Sequence, residues 1–115
     1  MRQDWATALD AYDDTVELDE TRLPGGGVHR GRDGVTAFFT RWVGSWTEFE
    51  ITPLELIDVG DDVVAVMDIS GTGRASGVSV TMRAADVYTL SSGKVVRQVG
   101  YPDAAEALEA AGLRE

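Results

Sequence analysis

The clearest candidate for chemistry in this sequence is a carboxylate in the middle of an apolar strand face. Residues 78–90 have the composition of a β-strand, in which successive side chains point to opposite sides. One of the two faces consists of Val78, Val80, Met82, Ala84, Asp86, Tyr88 and Leu90. A carboxyl group among apolar side chains has a raised pKa, so Asp86 could act as a proton donor or as a general base near neutral pH. Tyr88, two residues further along the same face, could donate a hydrogen bond beside it.

Other interpretations of these residues stay open. A local bulge could turn Asp86 outward, or its carboxylate could be a structural acid that accepts a hydrogen bond from a buried backbone N–H. Tyr88 is also consistent with core packing. His29 follows a run of three glycines and could transfer protons or bind a ligand at the mouth of a pocket, but such a histidine can also lie on the surface. Asp86, Tyr88 and His29 are the candidate catalytic residues.

The elements that must position these residues include one strongly amphipathic helix, predicted over residues 32–46. Its apolar side chains recur at the spacing i, i+3, i+4, i+7, i+8 and i+11. They are Val35, Phe38, Phe39, Trp42, Val43 and Trp46. A stripe with four aromatic rings must be buried against a broad surface, and a sheet is its natural partner. A shorter N-terminal helix is predicted from the spacing of Trp5, Ala8, Leu9 and Tyr12.

The sheet comes from five segments that are predicted as strands, at residues 15–18, 49–59, 63–72, 78–90 and 94–101. Pro53 lacks an N–H and therefore indicates an edge or a bulge in the second segment. Residues 19–31, which include three consecutive glycines, are predicted to be irregular. A last helix is predicted to begin after Asp103 and to end at Gly112. The turns between the last four strands predict an antiparallel meander, and the element order predicts one α+β domain over residues 1–115 with its helices on one face.

Composition excludes several classes of function. The formal net charge of −10 at pH 7 disfavours binding to nucleic acid and to anionic membrane surfaces. The absence of cysteine excludes disulfides, thiolate metal sites and a cysteine nucleophile, and the single histidine, His29, excludes a multi-histidine metal site. No apolar run resembles a signal peptide or approaches the ~20 residues that span a bilayer, so we expect a cytoplasmic protein.

We expect the sheet to enclose a mostly apolar pocket around Asp86. Gln98, on the last strand, would face this cavity, whereas Arg97 would face the other way. The residues expected to line the pocket are Trp5, Tyr12, Leu18, Phe38, Trp42, Met67, Ile69, Met82, Ala84, Gln98 and Gly100. Acid–base chemistry in such a pocket requires no metal and no organic cofactor.

The order of these elements resembles that of the SnoaL-like branch of the nuclear transport factor 2-like superfamily. Three runs carry the resemblance: GRDGVTAFFTRW at residues 31–42, GKVVRQVGYPD at residues 93–103 and EALEAAGL at residues 106–113. The likeness covers roughly residues 4–113 and implies a cone-shaped sheet with helices packed on its concave side, wrapped around a pocket. It also implies a homodimer through the outer face of the sheet, where Val64, Val66, Ala85 and Val87 would lie.

Ketosteroid isomerase, a distant relative of this fold, keeps one pocket aspartate protonated as a hydrogen-bond donor and uses another as a base. Matched strand to strand, Asp86 falls at the donor position. Leu18 takes the base position at the end of the first strand, with Asp19 beside it and facing away, so we do not expect steroid isomerase chemistry. Such proteins usually begin with a long helix that closes the cone, and this chain starts at the second helix. Either the chain is a truncated form or a partner covers the opening.

The superfamily includes isomerases, cyclases, epoxide hydrolases, dehydratases and binding proteins without activity, so the fold alone does not define a function. The leading hypothesis is a small-molecule pocket that performs acid–base chemistry of the isomerase, cyclase or hydrolase type on an apolar substrate, with Asp86 as its main acid or base. The alternative is a non-catalytic module of the same fold that binds a ligand or a protein. A third hypothesis is a scaffold whose acidic surface binds a basic protein.

Overall fold

The computed structural model describes residues 10–23 and 26–112. In these ranges the elements are β1 (Tyr12–Asp19), β2 (Val28–Arg30), α1 (Gly31–Gly44), β3 (Trp46–Val59), β4 (Asp62–Gly73), β5 (Ser79–Ser91), β6 (Lys94–Tyr101) and α2 (Ala104–Ala110). The strands form one curved, unclosed sheet in the order β2-β1-β6-β5-β4-β3. Neither of the two helices in this part of the chain is long and apolar enough to cross a membrane.

The predicted antiparallel meander is confirmed from β3 to β6. The hairpin between β5 and β6 turns at Ser92 and Gly93, whose φ angles are both positive (52° and 78°), as a two-residue hairpin turn requires. The register of β3 against β4 shifts between Pro53 and Glu55, so the proline does mark an irregularity. These local signals fixed the order and direction of four strands.

The start of the sheet differs from the prediction. Tyr12 begins β1 instead of lying on a helix, Asp10 is helical, and Trp5, Ala8 and Leu9 lie outside the described ranges. Asp13 accepts hydrogen bonds from the backbone N–H (2.9 Å) and the hydroxyl (2.5 Å) of Thr15, and the β1–β6 register shifts between Tyr12 and Glu17. The irregularity next to Asp13 therefore lies inside β1. The short β2 lies within the stretch that was predicted to be irregular.

The sheet has two faces with different cores. We call the face with Asp86 and Gln98 the site face, and the opposite face, which α2 covers, the α2 face. On the site face, α1 packs mainly on β1 and also contacts β2 and β3. The core here consists of Val16, Leu18, Val35 and Val95, with Tyr12, Phe38, Phe39, Tyr88 and Leu90 against it. The apolar stripe of α1 is therefore partnered by the sheet, as its sequence predicted.

Helix α2 lies on the other face, which corrects the expectation that the helices share one side. Asp103 caps it by accepting a hydrogen bond from the N–H of Glu106 (2.8 Å). Its buried face packs on a core of Val64, Val66, Ala85, Val87, Val99 and Tyr101 through Ala104, Ala107, Leu108 and Ala111. The four side chains that suggested a dimer surface are thus buried within the chain, and the homodimer remains a prediction without them.

Candidate functional site

The candidate site lies where β1, β6 and β5 are neighbours near the middle of the sheet. Across the antiparallel β5–β6 pair, Asp86 is opposite Gly100 and Tyr88 is opposite Gln98. Across the parallel β1–β6 pair, Leu18 is level with Gln98. Residues that are level on neighbouring strands point to the same face, so the pairing gathers these side chains on the site face.

Gln98 is the centre of a hydrogen-bond network on this face. Its side chain is almost fully buried (2% exposed). The Tyr12 hydroxyl donates to its Oε1, while its Nε2 donates to Asp86 Oδ2 (2.6 Å) and to the Tyr88 hydroxyl (3.2 Å). Because the carbonyl oxygen is bonded to Tyr12, the amide nitrogen must point toward Asp86. The network therefore fixes the orientation of the carboxylate.

Asp86 points into the structure and not outward. The β4–β5 register is continuous from Asp62 to Thr72, and Asp86 is level with Ala65, so no bulge turns the side chain away. Desolvation raises the pKa of Asp86 from 3.8 to about 6, although the hydrogen bond from Gln98 opposes the shift. A carboxyl group with this pKa is mostly ionised at pH 7 and is still a useful base.

Two tyrosines contribute neutral hydroxyl groups. Desolvation first, and the negative charge of Asp86 second, raise the pKa of Tyr12 and of Tyr88 well above the usual value. Both phenols therefore stay protonated at physiological pH. The hydrogen bond that Tyr88 accepts from Gln98 does not use the Tyr88 proton, so that proton remains available for donation.

Sequence reasoning missed a second carboxyl group, that of Glu20. It follows β1 directly and is buried (6% exposed). Desolvation, followed by the charges of Asp86 and Asp19, raises its pKa from 4.5 to about 8. The signal was present in the sequence, because the buried face of β1 continues from Val16 and Leu18 to Glu20. Asp19, as expected, faces away and bonds to Thr21, and this bond lowers its pKa.

Gly100 provides the space that the Glu20 side chain occupies. A Cβ atom built on Gly100 would overlap Glu20 Oε2 and would lie 3.0 Å from Cδ. The backbone N–H of Glu20 is held by the carbonyl of Gly27 (2.8 Å). Within the described ranges, no Lys or Arg side chain pairs with Glu20 or Asp86; the ion pairs there involve other carboxylates.

His29, the third candidate catalytic residue, lies apart from this network. It is level with Leu18 across β1–β2, and its ring packs on Phe38 with a centroid distance of 4.6 Å. Its Nε2 atom is buried and has no hydrogen-bond partner among the described residues. The structure thus brings Asp86, Tyr88, Tyr12 and Gln98 together and leaves His29 at the β2 side of the site face.

The remaining residues predicted to line a pocket spread over the whole site face. Leu18 and Phe38 belong to the core beneath α1. On β4 and β5, Ala84 is level with Met67 and Met82 with Ile69; Ala84 and Ile69 are buried, while Met82 is 41% exposed. These four residues extend the apolar surface next to Asp86.

Trp42 belongs to a separate aromatic cluster at the end of α1 and the start of β3. Its ring lies 6.3 Å from that of Trp46 and 4.9 Å from that of Phe49, edge to face in both cases. Trp5 lies outside the described ranges. In the part of the chain that the structure describes, no three His, Asp or Glu side chains are grouped so that they could bind a metal ion.

Comparison with known proteins identifies the fold and the family. A nuclear transport factor 2-like protein from Burkholderia thailandensis superposes with a TM-score of 0.80 and 28% identity, over 93% of this chain and 84% of that chain. A protein described as a SnoaL-like polyketide cyclase from Jannaschia sp. CCS1 gives 0.77 and 16%, over 99% and 83% of the two chains. TerC, crystallised with polyporic acid, gives 0.74 and 22%, over 95% and 86%.

No curated protein matches the sequence significantly. The model of the SnoaL-like domain matches residues 1–98, which is most of the chain. The protein therefore belongs to the SnoaL-like domain family and has the nuclear transport factor 2-like fold.

Proposed function

We propose that the protein is a cofactor-free acid–base enzyme, of the isomerase, cyclase or hydrolase type, that acts on an apolar small molecule. The observation that supports this most directly is the Asp86 carboxylate, which is held by Gln98 on an apolar sheet face and has a pKa of about 6. Structural carboxylates in ion pairs have lowered pKa values, whereas a raised value close to neutrality suits a general base.

The proposed step is proton abstraction from a carbon or oxygen atom of the substrate by Asp86. Gln98 holds Oδ2, so Oδ1 is the oxygen that takes the proton. The hydroxyl of Tyr88 is placed beside the same carboxylate through Gln98 and donates to a developing oxyanion. Gln98 positions both groups and does not react.

Apolar side chains around Asp86 favour an apolar substrate. Ala65, Ala84 and Met67 surround it on β4 and β5, and these groups contribute area and shape but no directional bonds. Polyporic acid in TerC and the polyketide cyclase description of the Jannaschia protein are consistent with substrates that contain rings. A polycyclic or aromatic ketone is therefore a suitable probe.

Deuterium exchange tests the proposal without knowledge of the natural substrate. The protein is incubated in D2O with a panel of aromatic ketones, such as 1-tetralone and 2-tetralone, and loss of the protons next to the carbonyl is followed by NMR. We expect exchange above the buffer rate, and Asp86→Asn should lower it by about 100-fold or more. Asp68→Asn, a change at a partly exposed residue that pairs with Arg83, is the matched control and should leave exchange unchanged.

Exchange that is the same in the Asp86→Asn variant and the unmodified protein would contradict the role of Asp86. If no ketone exchanges above the buffer rate while the same ketones quench Trp fluorescence with saturation, the non-catalytic binding module is the correct alternative.

We also propose a homodimer, as the family likeness implies. Two leucines of strand β3, at the edge of the sheet, are exposed: Leu54 (45%) and Leu56 (71%). Apolar side chains on an unpaired edge strand favour association. Sedimentation velocity should give a dimer at tens of micromolar, and Leu56→Lys should shift it toward the monomer; a monomer at that concentration in the unmodified protein would contradict the dimer.

A further inference from the structure

We propose that Glu20, seated over Gly100, is the proton-donating partner of Asp86, and that the pair processes an uncharged carbonyl compound. This inference rests on the proposed function, because it assigns the second group and the substrate class of the same site. It differs from the sequence-based expectation, which placed no acid at the end of β1. Two carboxyl groups, Glu20 directly after β1 and Asp86 on β5, converge over one residue without a side chain, Gly100.

The geometry follows from the pairing of three strands. Asp86 is level with Gly100 across β5–β6, and the Glu20 carboxyl group occupies the space that a Cβ of Gly100 would fill. Residues that are level on neighbouring strands have side chains about 5 Å apart. The missing side chain at position 100 thus lets the carboxyl group from β1 approach the one from β5.

The electrostatics of the site favour one shared proton. The two carboxyl groups are desolvated, and the charge of Asp86 disfavours ionisation of Glu20. The pKa of about 6 for Asp86 and about 8 for Glu20 mean that between these pH values the pair has one proton and one negative charge. Two carboxyl groups whose environments separate their pKa values can divide the roles of acid and base.

The other titratable groups described around Glu20 and Asp86 do not place a positive charge next to either carboxyl group. Tyr12 from β1 and Tyr88 from β5 stay neutral, and Asp19, which is ionised, adds repulsion to Glu20. His29 from β2 packs on Phe38. From α1 the residues in this core are apolar: Val35, Phe38 and Phe39.

The reaction that suits this pair removes one proton from the substrate and adds one proton to it. Asp86 takes a proton from the carbon next to a carbonyl group, and the electron pair of that C–H bond forms the C=C bond of an enol. The carbonyl oxygen meanwhile takes the proton from Glu20. The pair has one negative charge before and after the step, with the proton now on Asp86. To complete an isomerisation, Asp86 gives its proton to another carbon of the substrate while the enol O–H returns its proton to Glu20. To complete a ring closure, the enol carbon attacks a second carbonyl of the same molecule, the enol O–H returns its proton to Glu20, and the new alkoxide takes the proton from Asp86.

The charge of the pair also defines which substrates the site accepts. A carboxylate or phosphate group on the substrate near the reacting carbon would add a negative charge beside Asp86, where no cation compensates it. An uncharged ketone adds none. We therefore expect 2-tetralone to bind and its carboxylate-bearing analogue to be rejected.

The experiment combines a titration with the exchange assay, so that the inference and the proposed function can fail separately. Carboxyl ¹³C shifts are followed by NMR from pH 3 to pH 10 in the unmodified protein, Asp86→Asn and Gly100→Ala. We expect Glu20 to titrate near pH 8, and to titrate lower in Asp86→Asn because the repulsion is lost. The Gly100→Ala change should also lower it, because the methyl group displaces the carboxyl group from its buried seat.

The exchange assay then tests the role of the proton. In the unmodified protein, the exchange rate plotted against pH should be bell-shaped, with its two limbs near pH 6 and pH 8, because Asp86 must be ionised and Glu20 protonated. Glu20→Gln should lower the rate by about 10- to 100-fold and abolish the alkaline limb. Glu17→Gln, on β1 but on the opposite face of the sheet, is the control and should keep the bell-shaped pH dependence.

Glu20 titrating near 4.5 with no response to Asp86→Asn would overturn the inference, even if Asp86 proves to be essential for exchange. An unchanged bell in Glu20→Gln would overturn it as well. Absence of exchange in the unmodified protein would instead contradict the proposed function; the Glu20 titration would then still test the shared proton by itself.

Discussion

Successive residues of β5 lie in two different environments. On the α2 face, Ala85 and Val87 are 0% and 7% exposed beneath α2, in a core made of apolar side chains. On the site face, the residue between them is Asp86, bonded to the buried amide of Gln98. Burial of apolar area stabilises a fold, whereas desolvation of a carboxyl group costs free energy. The comparison indicates that the core beneath α2 is made of apolar side chains, whereas the site face also contains buried polar groups that cost free energy.

The largest expected effect comes from placing a charge in the apolar core on the α2 face. Val87→Asp buries a carboxylate beneath α2 with no partner, and we expect it to lower the free energy of unfolding by roughly 4 kcal/mol or to prevent folding. Urea denaturation at pH 7 measures the loss. Thr81→Asp, at an exposed position of the same strand, is the control. A loss below about 1 kcal/mol would mean that the α2 face is not a closed core.

The pH dependence of stability should reveal the groups on the site face. The pKa values of Glu20 and Asp86 are higher in the folded protein than in the unfolded chain, so the folded state binds more protons over the intervening range. Their contribution to stability is complete below about pH 3 and is lost as the pH rises to 8. We expect the free energy of unfolding to fall by several kcal/mol between pH 5 and pH 8.

Glu20→Gln is the variant that tests this assignment. It removes the group with the larger shift, so the slope between pH 6 and pH 8 should become nearly flat. Urea denaturation at closely spaced pH values provides the curve, and Glu17→Gln should reproduce the slope of the unmodified protein. A slope that Glu20→Gln leaves intact would assign the dependence to other groups.

The cap of α2 allows the two faces to be perturbed independently. Asp103→Ala removes the hydrogen bond to the N–H of Glu106 and should cost about 1 kcal/mol of stability. The pKa of Asp86, measured by NMR, should not move, because the loosened helix covers the opposite face. Glu109→Ala, at an exposed position of the same helix, is the control for stability. A clear shift in the Asp86 pKa would show that the two faces are coupled.

The smallest effect on stability is expected for the candidate base. Asp86→Asn keeps the shape of the side chain and a bond to Gln98, and it removes the cost of a desolvated charge. At pH 8 the variant should be equal to the unmodified protein or up to about 1 kcal/mol more stable, and the difference should vanish below about pH 3, where Asp86 is protonated in the folded and unfolded states. A strongly destabilised variant would indicate that Asp86 is a structural acid.

Much of the fold could be predicted from the sequence because its signals are local. The alternation along β5 placed Asp86, Tyr88 and Ala84 on one face, and turn residues fixed the hairpins from β3 to β6. The stripe of α1 predicted that the helix packs on a sheet. Each of these signals depends on residues that are close together in the sequence, so the local pattern was sufficient to predict the local structure.

What the sequence did not predict depends on contacts between distant segments. The parallel pairing of β1 with β6 leaves no local trace, so the extension of β1 to Tyr12 and the burial of Glu20 beyond its end were missed. The face that α2 would cover was equally undefined, since a short apolar stripe fits either side of a sheet. The space next to Gly100, which the Glu20 carboxyl group occupies, could be recognised only when the register of the strands was known.

The parallel contact between the first and the last strand also bears on how the protein is made. The bond from Tyr12 to Gln98 spans 86 residues, so during synthesis the hydrogen-bond network cannot form until β6 has left the ribosome. Contacts of high sequence separation form late and slow the folding of a domain. The hairpins from β3 to β5 can assemble first, and the carboxyl groups lose water only when β1 docks. We therefore expect the acidic residues of the site to stay hydrated until β1 docks.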